Sequence, residues 1–262
     1  MIMACGGMDT TTFQRYNWQD EWCNMVNWRQ FALSSVQMAM FTPDHSAFAG
    51  SRLVAAILRQ FGERFNGDMQ VLPLPPSVPP EISRVVLKSS DGSQEVNAGP
   101  ARFNYVWNRI GPDASLTLPQ ALDHCVNLLE YYVRETGVRV GRLALVLQRA
   151  CPNEDPAQTL IRRFCTEESQ QEPFNRSKTF EIHNHKDYTP VYEGVDYQIN
   201  SWVRCQCGLV EPEKTPTIVV IQDLNTMVAD LEQRQFDADK IGVFFSMVCD
   251  EAEAIIKRYF PE

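Results

Sequence analysis

"VRVGRLALVLQRAC" (Val138–Cys151) is the stretch on which the fold turns. Val140, Leu143, Leu145 and Leu147 stand among further apolar residues, a pattern that predicts a central strand buried on both faces. "TPTIVVIQDL" (215–224), a continuous β-branched run, predicts a second buried strand. Between them, the stretch at about 178–188 and "VDYQINSWVRCQC" (195–207) alternate as half-buried strands do, and Pro156 to Phe164 reads as a short helix. The last element is the clearest. Ile241, Phe244, Phe245, Val248, Ala252, Ile255 and Tyr259 make an apolar stripe, with Asp237 and Asp239 at the positive end of the helix and Lys257 and Arg258 at the negative end.

On the N-terminal side the same grammar returns. "FALSSVQMAMF" (31–41) reads as a strand. Val54, Ile57, Leu58, Phe61 and Phe65 predict a helix of about five turns ending at Asn66-Gly67. "VLPLPPSVPP" (71–80) reads as a stiff connector, since proline fits neither helix interior nor central strand. "EISRVVLKSS" and "SQEVNAGPARFNYVWNR" flank the hairpin signal Asp91-Gly92, with Phe103, Tyr105 and Trp107 on one face of the second strand. Thr117-Leu118-Pro119-Gln120 is a capping box that opens a helix lined by Leu122, Cys125, Val126, Leu129 and Val133 and stopped by Gly137. The prediction is an α+β fold, antiparallel sheets backed by helices, with two similar β-α-β-β-α halves packed together. Its segments are an aromatic-rich N-terminus (1–30), a first half (31–136) and a second half (137–262).

Composition narrows the partners. The 262 residues are 44% hydrophobic, ample for a sizeable core, with a net charge of −9. That charge disfavours nucleic acid as the main partner, because such affinity rests on neutralising phosphates. Eight cysteines in a chain this long, with no CxxC, read as reduced thiols in the cytoplasm. "MIMACGG" lacks the charged and apolar regions of a leader, and no apolar run approaches the roughly 18 residues of a membrane span. There is no Walker A loop, GxGxxG or GxSxG elbow, and Asp223 and Asn225 read as a turn rather than a catalytic pair.

The chemistry-bearing candidate is "FEIHNHKDY" (180–188). His183 and His185 share a strand face, and Cys205 and Cys207 lie on the next strand, a spacing that would suit zinc. Hydrophobic parity opposes this. Phe180 and Ile182 match the apolar set that contains Val203, Cys205 and Cys207, which turns the cysteines into the core and the histidines to the other face. No metal and no cofactor is therefore expected. The contiguous "HNH" also lacks the dispersed spacing of the nuclease family known by those letters. What remains is a polar face of Glu181, His183, His185, Asp187, Asn200, Trp202 and Arg204, open to solvent or to a partner. Trp18 and Trp22, at helical spacing with Met25, form a second candidate docking surface.

"VGRLALVLQRAC", "TIVVIQDLN" and "DADKIGVFFSMVCDEAEAIIKRYF", in the last half of the chain, resemble a sporadically distributed, uncharacterised family of prokaryotic proteins of about this length. The tryptophan-rich N-terminus and the cysteines depart from that pattern, and the resemblance carries over no catalytic residue. Its patchy distribution implies an accessory role, in the setting of antiviral defence. The expectation is a non-enzymatic binding or accessory protein that docks a protein partner. The alternative is a metal-dependent hydrolase or nuclease built on His183, His185 and Asp187.

Overall fold

The structure is a computed structural model that describes residues 26–45, 48–75, 77–111, 117–192, 194–210 and 213–262. Trp18 and Trp22 lie outside the described residues. In chain order the first half gives β1 (Ala32–Phe41), α1 (Gly50–Phe61), β2 (Met69–Val71), β3 (Val85–Lys88), β4 (Gln94–Ala98), β5 (Arg102–Asn108) and α2 (Leu118–Thr136). The second gives β6 (Arg142–Pro152), α3 (Pro156–Phe164), α4 (Glu167–Gln171), β7 (Glu181–Tyr188), the short β8 (Val191–Tyr192) and β9 (Val195–Asp196), β10 (Ile199–Val210), β11 (Thr215–Thr226) and α5 (Ala238–Tyr259).

The expected sheets are one nine-stranded sheet in the order β2-β3-β4-β5-β1-β6-β11-β10-β7, with β8 and β9 as a separate pair. Every neighbouring pair in it is antiparallel. The order reads outward from a central β1–β6 pair, so each half runs from the middle of the sheet to one edge. Met38 opposite Leu145 and Val36 opposite Leu147 mark that centre, and all four side chains are fully buried.

The helices cover one face. Ile241, Phe244, Phe245 and Ile256 of α5 and Leu128 and Leu129 of α2 join Val36, Met38, Tyr105, Leu145 and Val220 in a single core. A polar tie crosses it. Gln222 Nε2 donates to the Ala252 carbonyl at 2.7 Å, and Arg149, almost fully buried, meets the Glu253 carboxylate at 2.5 Å. Among the described residues no helix is long and apolar enough to cross a membrane.

Local chemistry sets the helix ends. Thr117 and Gln120 form the expected capping box, and Gly137 closes α2 with φ 65°. Asp237 accepts from the Lys240 ammonium at 2.8 Å and caps α5 by accepting from the Lys240 backbone N–H at 2.9 Å, and these contacts, the ammonium first, hold its carboxyl below the usual range. Asp237→Ala is expected to cost about 1 kcal/mol at pH 7. A carboxyl whose pKa is depressed on folding stabilises only above its unfolded value. The gap between variant and wild type should therefore close as pH falls below about 4, read from urea midpoints across pH.

Four expectations need correction. Asp223 and Asn225, read from sequence as a turn, lie within β11 and pair with strands on both sides. The strand read through 94–108 is two strands, β4 and β5, because Gly99-Pro100 turns the chain and Gly99 N donates to the Arg102 carbonyl. A side chain at Gly99 would meet the Ile82 carbonyl at 2.6 Å, so only glycine permits that approach. Helix α1 stops at Phe61, and Phe65 reaches the core from the following turn. Finally, among the described residues helices pack on only one face of β6 and β11. On the other face Val146, Gln148, Ile221 and Asp223 are partly exposed, screened by neighbouring strands instead of a helix layer.

Candidate functional site

The uncovered face follows from strand parity. β7 pairs with β10 so that Ile182 opposes Cys205, while His183 opposes Arg204, His185 opposes Trp202 and Asp187 opposes Asn200. The register therefore divides the residues as the apolar pattern required. Cys205 is fully buried, and desolvation pushes its thiol up to about 12. Cys207 on the same face bonds the Phe180 backbone, its sulfur 3.4 Å from the amide nitrogen. Four residues from adjacent strands thus split into two pairs on opposite sides of a sheet, and no zinc site can join them.

On the open side, the His185 ring stacks on the Trp202 indole with centroids 4.0 Å apart and planes within 5°. His185 Nε2 lies 2.6 Å from Asn200 Oδ1 and 3.3 Å from Asp187 Oδ1. Both are acceptors, so the proton sits on Nε2. Asn200 Nδ2 donates to Asn225 Oδ1 at 3.3 Å, and Asn225 Nδ2 donates to Asp223 Oδ1 at 2.9 Å. Arg142 joins from β6, donating to the same Asn225 oxygen at 2.9 Å. Hydrogen bonds thus run through β7, β10, β11 and β6, locking the histidine that supports Trp202. The indole itself remains 43% exposed.

His183 is separate. Its Nε2 pairs with Glu181 Oε2 at 3.4 Å, on the same strand. Among the described residues no group of three or more His, Cys, Asp or Glu is placed to hold a metal ion. Toward the opposite edge, β3 and β4 carry an ordinary ion pair on the open face, Lys88 with Glu95 at 3.2 Å, where β7 and β10 carry the aromatic stack. The sheet does not require the stack; an exposed ion pair finishes the other side.

The reading from sequence passed over Phe41, Arg102, Asn104 and Arg142 and took Asn225 for a turn residue; all five share the open face toward the centre of the sheet. The available signal was parity: Arg142 falls with Ala144, Val146 and Gln148, opposite the leucines. On the helix side, a cleft of about 320 Å³ lies among Tyr188, Tyr192, Met247 and Glu251. Lys186 stands beside it, 3.6 Å from the Glu251 carboxylate and 4.6 Å from the Tyr188 ring centroid.

No family model matches the chain, and no curated protein matches it. Among solved structures, the crystal structure of the di-domain ARO/CYC StfQ from the steffimycin biosynthetic pathway aligns over 86% of this chain and 96% of that chain, at 8% identity and a TM-score of 0.19. A likeness that slight carries no argument about fold or activity.

Proposed function

We propose that the chain is a non-enzymatic binding protein that docks a protein partner on its uncovered sheet face, with Trp202 as the anchor. One observation carries this reading. A tryptophan 43% exposed is held flat against a histidine that is itself fixed by hydrogen bonds across several strands. A rigid aromatic in the middle of a polar surface loses little entropy on binding, which is why such residues dominate interface energies. Charges of both signs surround it, from Arg204 and Arg142 to Asp223, Asp187 and Glu181, a rim suited to a folded protein and not to a polyanion. An accessory role in prokaryotic antiviral defence, in the cytoplasm, is the setting that the sequence resemblance and the free thiols suggest.

Photo-crosslinking from position 206, beside Arg204 on the same face, should identify the partner. Against that purified partner, Trp202→Ala is expected to weaken binding at least thirtyfold, the loss of about 2 kcal/mol typical of an anchor. His185→Ala should weaken it less, by releasing the indole from its stacked position. Unchanged affinity in both variants, with the fold intact by circular dichroism, would count against this surface.

A further inference from the structure

We propose that Arg102, Phe41 and Arg142 form an oxyanion-binding site on the open face of the sheet, for a ligand or partner group bearing a phosphoryl or carboxylate. Phe41 of β1 is the cross-strand partner of Arg102 on one side and of Arg142 on the other. Both guanidiniums lie over its ring, at 5.2 and 4.6 Å from the centroid. The ring therefore gathers two like charges, one from the strand on each side of it.

Neither guanidinium is held in an ion pair. Among the described residues no carboxylate lies within ion-pair distance of either arginine. Arg102 donates to Asn104 Oδ1, and Arg142 donates to the Thr226 carbonyl and Asn225 Oδ1. An arginine carries five N–H donors, so among the described residues most of theirs have no protein acceptor. Both groups are partly buried. Desolvation lowers the pKa of each below the ordinary arginine value; the charge of Arg142 lowers Arg102 further, and Asp223 opposes this in both.

Two partly desolvated cations on one ring repel each other, and an anion that reaches both offsets that repulsion. The planar fork of a guanidinium matches the two oxygens of a carboxylate or phosphoryl group, and a charge-assisted bond of that kind is about twice as strong as a neutral one. The next register row runs Asn225, Ala144, Ala39, Asn104. Its two central side chains are small and buried, and the amides at its ends orient the arginines, Asn104 accepting from Arg102 and Asn225 from Arg142. A site of two arginines in a chain of net charge −9 suits one anionic group and not a polyanion.

This assignment stands apart from the protein-docking reading, because free anions test it. The arginine Nε–Hε resonances of the wild-type protein would be followed by NMR while inorganic phosphate, and separately acetate, is added at constant ionic strength. Saturable shifts confined to Arg102 and Arg142 are expected with at least one of the two. Response to phosphate alone assigns a phosphoryl ligand; response to acetate, alone or equally, assigns a carboxylate. The Arg102→Gln/Arg142→Gln double variant should lose tenfold or more in affinity, while Arg162→Gln, a charge lost from exposed α3, should not. No saturable shift with either anion, or an equal loss in Arg162→Gln, would overturn the proposal. The first measurement uses the unmodified protein and so does not depend on the variant folding.

Discussion

Phe244→Ala is expected to destabilise the protein by about 3–5 kcal/mol, since it empties a fully buried aromatic site that neighbouring side chains can refill only in part. Phe244 sits in the first half of α5 with its ring 5.8 Å from Tyr197 and 5.2 Å from Phe245. Tyr197, also fully buried, reaches the same core from the segment before β10. Removing the ring would thus loosen the seam between α5 and the second half of the sheet. Urea unfolding should show a lower midpoint at an unchanged slope, and the thermal midpoint should fall by roughly 10 °C for a chain of this size. Phe244→Leu keeps most of the volume and should lose much less. A loss below about 1 kcal/mol in the alanine variant would mean that the helix does not pack there.

Gly141→Ala should be nearly as damaging, at about 3 kcal/mol, although it adds a single methyl group. The new carbon would stand 1.9 Å from the Leu231 carbonyl oxygen and 2.8 Å from its carbon, and backbone on both sides leaves little room to yield. Gly141 N donates to the Phe41 carbonyl, and Val140 bridges to Phe236, so the segment after β11 is closed over the entry to β6. Displacing it shifts Phe41 and Arg142 together, and anion binding should be lost along with stability. Gly137→Ala is the informative contrast. Gly137 has φ 65° with nothing within 4 Å of the added carbon, so only the left-handed backbone is penalised, at about 1–2 kcal/mol. Equal losses in the two variants would contradict the close approach at Gly141.

Much of this architecture was legible where a single physical signal dominated. The stripe of α5, the capping box of α2 and the Asp91-Gly92 hairpin each follow from periodicity or turn chemistry alone. So did the side of the sheet taken by His183 and His185, because Phe180 and Ile182 could only share a face with Cys205. The errors came where two signals competed. Val146 and Ile221 made their strands look buried on both faces, yet at the centre of a wide sheet such side chains are screened by their neighbours in the sheet. Phe65 continued the helical spacing of α1, but the helix ends at Phe61 and Phe65 lies in the turn that follows. The arginine site was not legible, because Arg102, Phe41 and Arg142 come from three strands whose adjacency no local pattern announces.

The order of strands also governs how the protein is made. β1 pairs with β5 on one side, but its other partner, β6, begins only at Arg142. While the ribosome is still translating the second half, that edge of β1 is bare, and "ALSSVQMAMF" carries no charged residue to blunt it. Any strand with the sequence of β6 satisfies it equally, including one from another nascent chain. Two molecules on one messenger could thus trade second halves, each completing the other's sheet. A correctly completed sheet depends on a race: the chain's own β6 must arrive before a neighbour's does.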